Sequence, residues 1–279
     1  MRSPLSAVEG NQSAFDAARH TAEEGFIRVS GLTKEFPTQG ATIRALDEFS
    51  LTVHEGEFVA VVGPSGCGKS TLLTLLAGLL PPTRGKIFIG DQEVRGPYTK
   101  LGIVFQNHVL LDWLTTLKNI LFQVEMRRLP RKEYEQKARD LIAMVGLSGF
   151  ENRYPYELSG GMKQRAAICR ALLHDPQLLL MDEPFGALDA LTRDQLCIDL
   201  EKIWLGSRKT VVFITHSVQE AVQLADRVVI MTPRPGKLYR EITVDVPRPR
   251  FLHAARSPRF AAYVDEIKQA FLDQGVLKE

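Results

Sequence analysis

The chain has 279 residues, 44% hydrophobic and 24% charged, with a net charge of +2. That is the composition of a globular protein and the length of one large α/β domain or of a domain with a sub-domain, and the near balance of charge argues against a dedicated nucleic-acid binder. The three cysteines (Cys67, Cys169, Cys197) have no C-x-x-C spacing, so reduced cytosolic thiols are expected, with neither a disulfide framework nor a zinc site. The N-terminus lacks the apolar core of a signal peptide, and the most apolar stretch, residues 72–80, is about half the length that crosses a bilayer.

In chain order, residues 1–24 are polar with scattered alanines and read as a flexible leader. Residues 26–29 and 45–53 read as short strands separated by the turn-rich Pro37-Thr38-Gln39-Gly40. Phe36, just before that turn, is either a packed strand-end aromatic or a face on which a base stacks. Residues 59–62 are an apolar, β-branched run that stops in Gly63-Pro64-Ser65-Gly66-Cys67-Gly68-Lys69-Ser70-Thr71, and a leucine-rich helix starts near Lys69. This is G-x-x-x-x-G-K-[ST] between a strand and a helix, the context that motif needs. Glycines let backbone N–H groups curl around phosphate oxygens, and the helix N-terminus adds its partial positive charge. Lys69 supplies a mobile point charge for the β- and γ-phosphates, and the Ser70 hydroxyl is placed to ligate Mg²⁺.

Beyond the hard stop at Pro81-Pro82-Thr83-Arg84-Gly85, residues 86–89 and 101–105 look like strands. From 106 to 156 the pattern becomes helical. Residues 133–144 carry apolar positions at helical spacing, and Arg127, Arg128, Arg131, Lys132 and Lys137 are expected to form a solvated face, with anionic lipid as the lesser option. A helix opens after Leu158-Ser159-Gly160-Gly161 and runs through 173. Residues 178–181 are a wholly apolar strand, 192–204 a helix, 211–215 a strand, 218–224 a helix and 227–231 a strand. Strands alternating with helices imply a doubly wound parallel sheet. In the tail, Ser257-Pro258 starts a helix whose Phe260, Val264, Ile267 and Phe271 line one face and which Gly275 ends. That helix is expected to dock on its own protein rather than on a membrane.

In a parallel sheet, ligands gather at the carboxyl ends of the strands. Residues 178–181 end in Asp182-Glu183-Pro184. Asp182 is placed to hold Mg²⁺, and Glu183 to polarise a water for in-line attack on the γ-phosphate. His216 and Gln106 also follow apolar strands. The imidazole can contact the γ-phosphate, and the amide can ligate Mg²⁺ or orient a water. Ser159-Gly160-Gly161 before a helix is a second anion cradle of hydroxyl, bare amides and helix N-terminus. One site already has its γ-phosphate cradled by Lys69, so the second cradle suggests a partner subunit's nucleotide.

Together these segments resemble the nucleotide-binding subunit of an ATP-binding cassette (ABC) transporter, over about residues 26–231 and in the family's order: the P-loop 63–71, the Gln106 loop, the Leu158-Ser159-Gly160-Gly161-Met162 signature, the pair Asp182-Glu183, the Ala187-Leu188-Asp189 loop and the His216 switch. The resemblance implies a RecA-like P-loop NTPase core with a parallel sheet, an N-terminal antiparallel β sub-domain and an inserted helical sub-domain. The expected division is a leader (1–24), the ATPase domain (25–235, helical part about 107–160), and a C-terminal strand and amphipathic helix (236–279). It further implies a head-to-tail dimer with MgATP between one P-loop and the other copy's Ser159–Gly161. Phe36 then stacks on adenine, Glu183 acts as general base and Asp189 makes a cross-dimer contact. The implied partners are a second copy, two transmembrane permease subunits that insert coupling helices beside the Gln106 loop, and an extracytoplasmic substrate-binding protein, at the cytoplasmic face of the cell membrane and without nucleic acid. Leu110-Leu111-Asp112-Trp113-Leu114, Thr232-Pro233-Arg234-Pro235-Gly236 and Val246-Pro247-Arg248-Pro249-Arg250 look like importers for nitrate, sulfonate, taurine and related small anions, with Asp112 where proline is usual. A soluble ABC ATPase acting on DNA or the ribosome and a small-molecule P-loop kinase are the competing classes. The first usually carries coiled-coil insertions, zinc-binding cysteines or two cassettes, and the second has no role for Ser-Gly-Gly.

Overall fold

A computed structural model describes residues 25–186, 188–250, 254 and 257–277. The leader expected over residues 1–24, and Ala187, lie outside the described residues. In chain order the elements are β1 (Ile27–Thr38), β2 (Ala41–Val53), β3 (Phe58–Val62), α1 (Lys69–Leu76), β4 (Arg84–Ile89), β5 (Gln92–Glu93), β6 (Leu101–Val104), α2 (Thr116–Met126), α3 (Arg131–Met144), α4 (Gly160–Leu172), β7 (Leu178–Asp182), α5 (Ala190–Ser207), β8 (Thr210–Thr215), α6 (Val218–Leu224), β9 (Arg227–Met231), β10 (Leu238–Thr243) and α7 (Pro258–Asp273).

The central sheet has the order β10-β9-β3-β8-β7-β6. All its pairings are parallel except β10 on β9. Its strands are apolar along their length because both faces are covered, as parallel sheets require. The pleat sorts the side chains. Phe58, Ala60, Val62, Leu179, Met181, Val211 and Phe213 pack with Leu200 and Trp204 of α5, Leu224 of α6 and Ile267 of α7. Val59, Val61, Leu178, Leu180, Val212 and Ile214 face α1 and the second sheet. That second sheet, β2-β1-β4-β5, is antiparallel. A third cluster joins Ile120 and Val124 of α2, Ile142 of α3 and Ala166 and Cys169 of α4 into a helical body inserted between β6 and β7. The α/β core, antiparallel β sub-domain and inserted helices are thus as the sequence implied.

Three local expectations differ. The two N-terminal strands form a hairpin of twelve and thirteen residues that carries Phe36 opposite Ile43, and its turn is only Gln39-Gly40. Pro37 and Thr38 are tolerated in β1 because beyond Thr33 that strand pairs with β2 alone and its other edge needs no ladder donor. Residues 106–115 do not form a helix. There the wholly buried Asn119 acts as the template: its carbonyl oxygen accepts from Leu111 N at 2.7 Å, and its amide donates to the Leu111 and Leu114 carbonyls at 3.0 and 2.9 Å. Of the basic residues expected on a solvated face, Arg128, Arg131, Lys132 and Lys137 are exposed, but Arg127 is half-buried and donates to the Thr99 carbonyl. The tail helix α7 buries Phe260, Val264, Ile267 and Phe271 against the core, as its period predicted.

Candidate functional site

Because β3, β6, β7 and β8 are parallel, the residues that follow them emerge at one edge of the sheet. The register pairs Asp182 with Ile214 and Val62 with Thr215, so the loop after β3, the end of β7 and His216 stand level. In the loop, Gly66 and Gly68 have φ of 74° and 106°, values that penalise any Cβ. At Gly68 a Cβ would also lie 2.7 Å from the Ala45 carbonyl oxygen. No side chain caps α1, whereas Thr115, Ser159, Asp189, Ser217 and Ser257 cap α2, α4, α5, α6 and α7. The first N–H groups of α1 are therefore left for an external acceptor, and an anion suits both them and the helix dipole.

Lys69 corrects one expectation. It is 5% exposed rather than a mobile charge, and Nζ donates to the Gly63 and Pro64 carbonyls at 2.8 and 3.1 Å. An ammonium has three donors, so one remains for a phosphate oxygen. Nζ is also 4.0 Å from Glu183 Oε1. The Ser70 hydroxyl donates to Asp182 Oδ1 at 3.1 Å. Burial pushes the Asp182 carboxyl above its ordinary range. The Ser70 hydrogen bond opposes that shift, the charge of Glu183 adds to it and Lys69 counters it.

Glu183 has φ of 42°, a left-handed conformation that a non-glycine residue holds at a cost of about 1–3 kcal/mol. Its N–H is fastened to the Ile214 carbonyl at 2.9 Å, and the Gly186 N–H bonds back to its carbonyl at 3.1 Å. The side chain meets two expected partners, with Oε2 3.4 Å from Gln106 Nε2 and 3.2 Å from His216 Nδ1. Gln106 sits two residues past the end of β6.

A cavity of about 440 Å³ occupies this edge. Phe36, Ser65, Gly66, Gly68, Lys69, Ser70, Thr71, Gln106 and Glu183 line it. Gly63, Pro64 and Cys67 frame the loop from behind. The Cys67 N–H bonds the Pro64 carbonyl at 3.3 Å, and burial raises its thiol. Asp182 and His216 join through Ser70 and Glu183. Ser159, Gly160, Gly161 and Asp189 are not brought to this cavity. They form a separate assembly, in which a Cβ on Gly161 would lie 2.5 Å from Thr192 Cγ2 and Asp189 Oδ1 accepts the Thr192 N–H at 3.0 Å. Ser159 Oγ accepts the Met162 N–H at 3.3 Å, which leaves its own O–H free to donate.

Three lining residues were missed: Ile43, Ala45 and Arg234. Arg234 Nε donates to the Gly66 carbonyl at 3.1 Å. Two residues on, Gly236 backs the same loop, where a Cβ would fall 2.1 Å from the Cys67 carbonyl oxygen. The signal was available in principle, since β9 is an apolar strand whose carboxyl end adjoins that of β3 in a parallel pair.

A family model described as "ABC transporter" matches residues 46–186. An uncharacterised ABC transporter ATP-binding protein of Methanocaldococcus jannaschii is 52% identical over 224 residues, covering 80% of this chain and 84% of its own. The chain belongs to the ABC transporter family. Among other ABC ATP-binding proteins, the aliphatic sulfonates import ATP-binding protein of Bacillus cereus is 41% identical over 252 residues, 90% of this chain and 98% of its own. The taurine import ATP-binding protein of Pelagibacter ubique is 46% identical over 203 residues, 73% of this chain and 77% of its own. A bacterial ABC transporter cassette solved as a dimer superposes with a TM-score of 0.71 at 33% identity, over 78% of this chain and 98% of that one. A post-hydrolysis state of an ATP-binding cassette, bound to ADP and Pi, superposes at 0.70 and 31% over the same shares. This ABC chain is an ATPase.

Proposed function

We propose that the chain is the ATP-hydrolysing subunit of an importer for a small anion of the sulfonate or taurine class, working as a head-to-tail pair beneath two permease subunits fed by an extracytoplasmic binding protein. The observation that carries the paired arrangement is the separation of the two anion cradles. One chain closes Lys69, Ser70, Gln106 and Glu183 around a cavity but keeps Ser159–Gly161 outside it. A second copy, turned over, supplies the missing cradle to each nucleotide, and Asp189 then lies along the seam. ATP favours the closed pair because both copies ligand its γ-phosphate. The names of the sulfonate and taurine relatives support the solute class.

In the reaction, Phe36 stacks on the base, and the loop amides with Lys69 hold the β- and γ-phosphates. Glu183 takes the proton of the attacking water, steadied by His216 and Gln106. Mg²⁺ fits the oxygen donors present. Ser70 Oγ, Asp182 and the Gln106 amide offer hard ligands, while no group of three or more His, Cys, Asp or Glu side chains placed to hold a metal occurs among the described residues. That is the pattern of an ion completed by phosphate oxygens and water. When bound it neutralises charge on the β- and γ-oxygens.

The link to the permease runs from the Gln106 loop. Arg170 of α4 donates to the Val109 and His108 carbonyls at 2.6 and 3.0 Å, and His108 Nδ1 lies 2.8 Å from Gln164 Oε1. The loop after Gln106 is thereby tied to the helix that Ser159 caps. Trp113 and Tyr156 are 73% and 72% exposed on the same body, a pair of large apolar surfaces suited to a permease helix. No helix among the described residues is long and apolar enough to cross a membrane, so attachment through partners at the cytoplasmic face accords with this reading.

A Glu183→Gln variant tests the pairing and the base together. It should bind ATP, accumulate as a dimer on size-exclusion chromatography, and lose turnover by about 10²–10⁴. Turnover at the normal rate would remove Glu183 from the role of base. For the solute, sulfonate-loaded binding protein should stimulate ATP hydrolysis by the reconstituted complex. Absence of stimulation, with the complex intact, would count against that solute class.

A further inference from the structure

A second cavity, of about 340 Å³, lies at the opposite ends of β6 and β7 from the nucleotide edge. The two ends are separated by the length of those strands, roughly 13–17 Å at about 3.3 Å per residue. It is lined by Lys100, Arg127, Leu129, Tyr134, His174 and Gln177, with Asp175 and Pro176 at its wall. Lys100, His174 and Gln177 come from the segments that feed the strands. Arg127, Leu129 and Tyr134 come from the end of α2 and the start of α3. The cavity therefore bridges the sheet core and the inserted helical body.

Its polar groups are incompletely satisfied. Arg127 Nη1 donates to the Thr99 carbonyl, but its Nε is buried with no acceptor. His174 Nε2 lies 3.1 Å from the Leu101 carbonyl oxygen, which places the ring proton on Nε2. Nδ1 is buried with no partner. The one carboxylate at the wall, Asp175, is held by Lys209 at 2.7 Å. Lys137 lies over the Tyr134 ring at 5.9 Å. Lys100 makes no ion pair among the described residues. The excess charge is positive, so a cation is excluded as occupant. As the side chains stand, both orphan atoms are closed to solvent. An anionic acceptor in the cavity pairs both once the side chains turn toward it, taking the Arg127 Nε–H and favouring protonation of His174, whose Nδ1–H then donates as well. Burial, and next the charge of Arg127, lower the His174 pKa in the absence of such an anion.

We infer that this cavity is a binding site for a small oxyanion, a phosphate, sulfate or sulfonate group held by Arg127, His174 and Lys100, with Leu129 and Tyr134 accommodating a short apolar substituent. Its occupancy ties the helical body to the core at a point remote from ATP.

The test uses the full chain with its nucleotide site saturated by MgADP, so that the P-loop cannot report. Inorganic phosphate and ethanesulfonate are titrated separately at constant ionic strength with chloride. The His174 imidazole resonance is followed, assigned by its loss in His174→Gln. A saturable shift is expected, at least tenfold weaker in Arg127→Gln and in Lys100→Gln and unchanged in Lys132→Gln, an exposed base on the same body. Tighter binding of ethanesulfonate identifies an organic sulfonate as the ligand type, and tighter phosphate an inorganic one. If Arg127→Gln does not fold, Lys100→Gln carries the comparison. The inference is overturned if neither anion shifts His174 saturably up to tens of millimolar, or if Lys132→Gln weakens binding as much as the cavity variants do. Neither result bears on the ATPase reading, which the MgADP-loaded site leaves untouched.

Discussion

Arg250 is 2% exposed, and its guanidinium donates to four carbonyls: Val246 at 2.8 Å, Val222 at 2.9 Å, Ala225 at 2.5 Å and Val244 at 2.8 Å. Two of these are at the C-terminal end of α6, whose Leu224 carbonyl is taken by Arg248 at 2.6 Å. The tail thus caps the helix that begins just after His216, and two cations sit at the negative end of its dipole. Burial lowers the Arg250 pKa to about 10, with the Arg248 charge contributing next. Replacing Arg250 with Met keeps most of the volume and removes the donors. Four hydrogen bonds from a charged group, at about 1.5–3 kcal/mol each, would give about 6–12 kcal/mol in gross terms. Relief from desolvating the guanidinium offsets several kcal/mol of that, and a net loss of about 3–5 kcal/mol is expected, because buried carbonyls that lose their donor cost about 1–3 kcal/mol each. For a chain of this size that is a fall in Tm of roughly 6–20 °C. Differential scanning calorimetry without nucleotide reads it directly. Arg250→Lys, with three donors in place of five, should fall in between. A drop of less than about 2 °C in Arg250→Met would mean that water replaces the guanidinium freely and that the capping argument is wrong.

Phe36→Ala should weaken ATP binding by about 5–150-fold, the equivalent of about 1–3 kcal/mol of base stacking, while Phe36→Tyr retains affinity. A fluorescent ATP analogue reads this, and equal affinity in Phe36→Ala would leave Phe36 as a packed strand aromatic. Gly236→Ala forces a Cβ to within 2.1 Å of the Cys67 carbonyl oxygen. The displaced P-loop should lose nucleotide affinity by an amount within the same range, about 1–3 kcal/mol for overpacking, while circular dichroism still reports a folded chain. Unchanged affinity would show that the loop adjusts without cost. For Asp182 the folded pKa is raised by burial. The native state therefore binds the proton more readily than the unfolded chain, and this contribution is present below about pH 3.9 and lost as pH rises through the folded value. At neutral pH the carboxylate is a destabilising feature of the nucleotide-free protein. Asp182→Asn should therefore melt higher than the native chain without ligand, yet lose the extra stabilisation that Mg²⁺ adds to a bound nucleotide. A lower melting point in the ligand-free variant would contradict the assigned desolvation.

Local chemistry made much of this molecule legible in the sequence. The glycine–lysine loop needs only consecutive residues to cradle phosphate. The strands that flank it are apolar on both faces because helices and a second sheet must cover them, and the helix over residues 218–224 and the strand over 227–231 have the bounds that their periods gave. Phe260, Val264, Ile267 and Phe271 likewise announced a docked helix. The sequence also separated two anion cradles, because each is a short motif at its own helix start. What it could not supply was which distant groups meet. Asn119 folding the stretch after Gln106 into a non-helical loop, Arg234 and Gly236 standing against the P-loop, Arg250 capping α6, and Arg127 turning inward beside His174 all depend on strand order and on which polar atoms burial leaves without water. Periodicity reports which face of an element is apolar. Only the assembled chain decides which donor reaches which orphaned acceptor, because that choice is made by long-range packing under the penalty for burying an unpaired polar group.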